Sequence, residues 1–146
     1  MRSPFVLLAI LLAASHAAYP RKDESLEQLI AHVASARAED QPHIYIEIAQ
    51  KELEAADKSY KAGENDAGRK SVEEVVNYSG KASDAASHTG KKLKDTEIAL
   101  RKMVGRLRDL KRGLAYEDQA PVQAAADRLE QMRTELLGRM FGKKAK

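Results

Sequence analysis

From Val72 to Leu114 the apolar and small residues keep to one heptad seam without a change of phase. The seam runs Val72, Val75, Ser79, Ala82, Ala86, Thr89, Leu93, Thr96, Leu100, Met103, Leu107, Leu110 and Leu114. Steps of three and four place all of these side chains on one side of an α-helix. A strand would need alternation with period two, which no segment of the chain shows. The seam therefore predicts an all-α protein built on one long central helix, about residues 66–115, with Gly90 as the place where it would break. Constant phase argues for continuity. The charges argue for a break: His88, Lys91 and Lys92 suit a helix C-terminus, Gly90 a cap, and Asp95 with Glu97 a new N-terminus.

The flanking segments have their own punctuation. Residues 23–38 place Leu26, Leu29, Ile30 and Val33 on one face, and Ser25 with Gln28 matches a capping box, so a short N-terminal helix is expected within 22–38. Asp40 followed by Pro42 reads as a second start, and the stripe Ile46, Ala49, Leu53, Ala56, Tyr60 carries helix 42–62. Glu47–Lys51, Glu54–Lys58 and Asp57–Lys61 stand four apart in the favoured order, Gly63 suits the residue after a helix, and Asn65 suits the next cap. Glu117-Asp118 with Pro121 opens a last helix, 118–141, whose stripe is Val122, Ala125, Leu129, Met132, Leu136 and Met140. Residues 143–146, KKAK, read as a basic disordered tail.

Short connections make sequential helices antiparallel neighbours. Helix 42–62 should lie on the first half of the central segment and helix 118–141 on the second; folding at Gly90 would instead give a compact four-helix bundle that buries the same seam. The helical-bundle domain then spans 39–142. The last connection sets a register: Leu114 beside Val122, Leu107 beside Leu129, Leu100 beside Leu136. Residues 56–67, ADKSYKAGENDA, place Ala56, Tyr60, Gly63 and Ala67 in a helix–turn–helix order that resembles a tetratricopeptide hairpin. The likeness covers about one hairpin; the Gly-to-Ala spacing is one residue short, no terminal Pro closes it, and no second copy recurs at the period of such arrays. It implies hairpin geometry and no function.

The first segment reads as an address. Arg2 precedes the apolar run Phe5–Ala14, and Ser15-His16-Ala17 supplies small residues before a cut. This is the pattern of a signal peptide, residues 1–17, with a run shorter than the ~20 apolar residues a membrane span needs. Export together with zero Cys points to the periplasm or exterior of a bacterium, because small exported animal domains usually carry disulfides.

Little chemistry is legible. The absence of Cys excludes disulfides, Cys-ligated zinc, iron–sulfur clusters and thiol nucleophiles. His32, His43 and His88 form no HExxH or Exx-H ligand pair, Asp84 and His88 read as a solvated pair, and Glu73–Glu74 diverge on a helix. No metal or cofactor is expected, and no enzyme activity. The charge is segregated. Residues 39–74 carry 10 acids and 5 bases, whereas residues 91–112 carry 9 bases and 3 acids. Lys91, Lys92, Arg101, Lys102, Arg106, Arg108, Lys111 and Arg112 flank the leucine seam on both sides. They read either as a solvated flank that meets acidic side chains within the bundle or across a dimer, or as a surface for anionic lipid or an envelope polyanion. Export and the lack of interleaved aromatics argue against nucleic acid. The expected role is a non-enzymatic interaction or structural module of the envelope, which meets a protein partner or itself through amphipathic helices.

Overall fold

A computed structural model describes residues 23–142; the expected signal peptide, 1–17, and the basic tail, 143–146, lie outside them. Five helices follow one another: α1 (Leu26–Ser35), α2 (Gln41–Lys61), α3 (Asn65–Thr89), α4 (Leu93–Arg112) and α5 (Tyr116–Phe141). The described residues contain no strand.

Each helix end has a local cause. The Ser25 hydroxyl accepts from the Gln28 N–H at 3.2 Å while the Gln28 side chain accepts from the Ser25 N–H at 2.8 Å, the reciprocal capping box that starts α1. At the end of α2 the chain turns through Gly63 at φ +77°. There the Glu64 N–H donates to the Ser59 carbonyl at 2.9 Å and the Gly63 N–H to the Tyr60 carbonyl at 3.1 Å, the paired bonds of a Schellman motif. Asp40 stands at the start of α2 without a side-chain cap bond, because its carboxylate accepts from Arg37 at 2.8 Å. Asn65 is the first residue of α3 rather than its cap, and its amide donates to Asp118 at 2.8 Å instead.

The continuous central helix is not formed. Residues 90–92 separate α3 from α4, with Gly90 at φ +66° and Lys92 at φ +61°. Two left-handed residues in three cannot be threaded through an α-helix, and the turn is closed locally. The Thr89 hydroxyl donates to the Ala85 carbonyl at 2.8 Å and accepts the Lys91 N–H at 3.2 Å. The seam keeps its phase across the break because both helices present it to one core.

The four long helices pack as two antiparallel hairpins, α2–α3 and α4–α5, laid side by side. Polar pairs fix the directions. Lys111 reaches Gln123 near the start of α5, and Glu97, at the start of α4, meets Arg133 well along α5, so α4 and α5 are antiparallel. Asn65 and Arg69 both approach Asp118, and Gly80 lies against Met132, so α3 and α5 run parallel and in register. Ile46 of α2 shares a groove with Ala99 of α4, and Tyr60 shares one with Leu114, so α2 and α4 also run parallel. Helix pairs stacked in this sense are how helical-repeat arrays grow. One structural element of the tetratricopeptide-like stretch is displaced: Gly68, not Ala67, receives the Tyr60 ring, and a Cβ there would stand 2.9 Å from it.

One core joins all four helices. It holds Leu53 and Ala56 of α2, Val72 and Val75 of α3, Leu100 and Leu107 of α4, and Leu129 and Leu136 of α5, each nearly or fully buried. Leu110 and Leu114, at the end of the seam, are only partly covered. A second, smaller cluster of Leu29, Ile44 and Ile48 fastens α1 to α2. Because α1 has ten residues and packs on α2 alone, only its Leu29 line is covered, and Ile30 remains 42% exposed.

Candidate functional site

Helix α4 has two unlike faces. Thr96, Glu97, Leu100, Met103, Val104 and Leu107 are buried. The opposite side presents Lys94, Arg101, Lys102, Gly105, Arg106, Arg108 and Arg112 to solvent. The division follows from the seam itself, since positions off a heptad stripe at 3.6 residues per turn fall outward. Lys94, Arg101 and Arg108 repeat every seven residues and so form a row with a step of ~10.5 Å along the axis. Lys94 was not singled out among the candidate bases; its seven-residue spacing from Arg101 was the signal. Lys91 and Lys92 are exposed in the link before α4.

These cations have few partners. Arg112 pairs with Asp109 on its own helix at 2.5 Å, and Lys111 donates to Gln123 of α5 at 2.6 Å. Among the described residues, no carboxylate stands within ion-pair distance of Lys91, Lys92, Arg101, Lys102, Arg106 or Arg108. The described contacts contain no ion pair between this basic segment and the acids of 39–74. Those acids pair close to home: Glu39 and Asp40 with Arg37, Glu47 with His43 at 3.2 Å, Asp57 with Lys61 at 2.6 Å. Of the three expected i,i+4 pairs on α2, the described contacts contain only Asp57–Lys61.

Two long-range polar clamps hold the bundle, one within the α4–α5 hairpin and one between the two hairpins, and neither was legible in the sequence. Arg133 of α5 donates to the buried Glu97 of α4 at 2.5 Å and to Glu130 at 2.7 Å. The bond to Glu97 is the main reason the guanidinium pKa is raised further. Asp118, 7% exposed, accepts from Asn65 and lies 3.6 Å from Arg69. Burial first, and then the nearby Asp118 charge, push the Tyr60 phenol pKa up. Each clamp joins residues more than thirty positions apart, so neither has a local signature.

Other concavities carry less. A groove of about 460 Å³ between α2 and α4 is lined by Leu53, Asp57, Tyr60, Arg106, Leu110 and Leu114. A cleft between α1 and α2 holds His32, which stands 3.5 Å from Glu24, and His43. No three His, Asp or Glu side chains among the described residues are grouped to hold a metal. His88 and Asp84 are both exposed. No described helix is long and apolar enough to cross a membrane. Compared with family models, curated proteins and solved structures, the chain matches none.

Proposed function

We propose that the chain is an exported, non-enzymatic helical protein that serves as an interaction module in a bacterial cell envelope and docks through the outer face of α4. The observation that carries this reading is that Arg101, Lys102, Arg106 and Arg108 are exposed on one helix with no carboxylate partner among the described residues. The main apolar stripes of α2 to α5 face one another in the core. Docking by a shared apolar stripe, as the sequence suggested, would require the bundle to open. Docking by charge requires nothing to move.

Export rests on the leader pattern of residues 1–17, and the non-enzymatic role on the lack of Cys and of a catalytic motif in the sequence. A photo-crosslinking residue placed at 102 or 105 in the source cells should yield adducts in the envelope fraction. The same residue at 66 or 73, on the exposed side of α3, should not. Equal yields from the two helices, or no adduct from 102 and 105 together with no binding of a polyanion by the purified protein, would overturn the reading. Mass spectrometry of the native protein should find residues 1–17 removed; a retained Met1 would remove export.

A further inference from the structure

We propose that the ridge of α4 binds a single extended anionic polymer bearing phosphate groups, which lies along the helix axis; the proposal rests on α4 being the docking face. Four features of the ridge select this ligand class.

The first is a gap with cations around it. Gly105 is exposed, and a Cβ there would meet nothing within 4 Å. Its neighbours one turn away on the helix surface are Arg101, Lys102, Arg108 and Asp109. Asp109 is already held by Arg112. Glycine is the poorest helix former after proline, so its place in the middle of α4 gains the helix nothing, yet it leaves a bare floor beside the row of Lys94, Arg101 and Arg108, with Lys102 on its other side. The second is narrowness. The helices on either side carry carboxylates: Glu47 and Asp57 line the grooves between α2 and α4, and Asp127 and Glu130 belong to the polar contacts of α5 beside α4. A planar bilayer would press its phosphates on those carboxylates as well as on the cations, whereas a thin chain on the ridge avoids them.

The third feature is the lack of anything to insert or stack. Among the described residues the exposed large apolar side chains are Ile30, Tyr116 and Phe141, and none belongs to α4. Membrane-surface helices bury an apolar face, and single-stranded nucleic acids are held by stacked aromatics. The apolar face of α4 is closed in the core. The fourth is the choice of arginine. Arg101, Arg106 and Arg108 present planar forks that match phosphate oxygens two at a time, while Arg112 is engaged with Asp109.

The test is titration of the purified protein with long-chain polyphosphate, tripolyphosphate, phosphatidylglycerol vesicles and duplex DNA over a range of salt. Long-chain polyphosphate should bind, tripolyphosphate should bind far more weakly, and affinity should fall linearly on logarithmic axes as salt rises. Arg101→Gln with Arg108→Gln should weaken binding about tenfold or more and lower the salt slope by between about one and two. Gly105→Glu should abolish binding while leaving the melting temperature no lower, since Glu is the better helix former. Absence of polyphosphate binding, or binding indifferent to these variants, overturns the proposal. So does equal or tighter binding to vesicles or to DNA, which would assign the ridge to that class. If polyphosphate fails while crosslinks from 102 or 105 reach a protein, the docking face stands and the polymer falls. If the crosslinks fail too, both fall.

Discussion

The two hairpins have nearly the same dimensions and are sealed in different ways. Helices α2 and α3 have 21 and 25 residues, α4 and α5 have 20 and 26, and each pair is joined by three residues. In the first hairpin the inner line of α3 is Val72, Val75, Ser79, Ala82 and Ala86, and its contact with α2 is the most extensive in the molecule. Small side chains let the helix axes approach, and the stabilisation comes from closeness. In the second hairpin Leu100, Met103 and Leu107 face the side of α5 that holds Leu129, Met132 and Leu136, and stabilisation comes from the apolar volume removed from water. The hairpins should therefore fail in opposite directions. Truncation should hurt the leucine hairpin more, and enlargement the alanine hairpin.

The largest expected effect tests the second hairpin. Leu107→Ala should cost about 2–5 kcal/mol in a denaturant titration, because Leu107 is fully buried and the cavity cannot collapse around it. A loss below about 1 kcal/mol would mean that volume does not hold this hairpin. The converse change, Ala82→Leu, should cost about 1–3 kcal/mol, since Ala82 is fully buried and the added methylenes must push helices apart. A stable, unshifted Ala82→Leu variant would show that the first hairpin has spare room and would remove the contrast.

A smaller effect comes from the one acid buried between α2 and α3. Glu52 is 9% exposed, and its carboxyl pKa is raised above the usual range, chiefly by burial and further by Glu74, with Ser71 and Lys70 opposing. The folded state keeps this proton at pH values where the unfolded chain has lost it. The resulting stability is present below the ordinary carboxylate pKa and disappears as pH rises through the raised one. Glu52→Gln is neutral throughout and should erase that slope. The variant should be as stable as the parent in acid and more stable at neutral pH. A Gln variant that is weaker at neutral pH would show that the charged form is the one the interface holds. The smallest effect belongs to the surface of the second hairpin. Arg108→Ala should change stability by less than about 0.5 kcal/mol, since the side chain is exposed and makes no described ion pair. A loss matching that of Leu107→Ala would place Arg108 in an interface between copies.

The apolar stripes were the most legible part of the chain. Val122, Ala125, Leu129, Met132 and Leu136 of α5 are buried as their spacing required, and so are Ile46, Ala49, Leu53, Ala56 and Tyr60 of α2. The Ser25–Gln28 box and the turn at Gly63 were legible for the same reason: their causes lie within a few residues. The basic residues of α4 were legible as a group, but not as unpaired. Whether Arg101 finds a carboxylate depends on which helix stands beside α4, and that is settled by how the hairpins stack.

By itself the sequence determined that the described chain is helical, where four of the five helices begin or end to within a few residues, and which side of each turns inward. Periodicity carries that information because the side a residue occupies depends only on the turns between it and its neighbours. The tertiary structure alone decided that residues 90–92 break the central segment, that α3 lies beside α5 and α2 beside α4, and that Glu97 meets Arg133 while Arg101 and Arg108 meet no described carboxylate. Phase reports which side of a helix faces the core, and it is the same for one helix or for two that share that core. Ion pairing reports distance between elements, which no local spacing encodes.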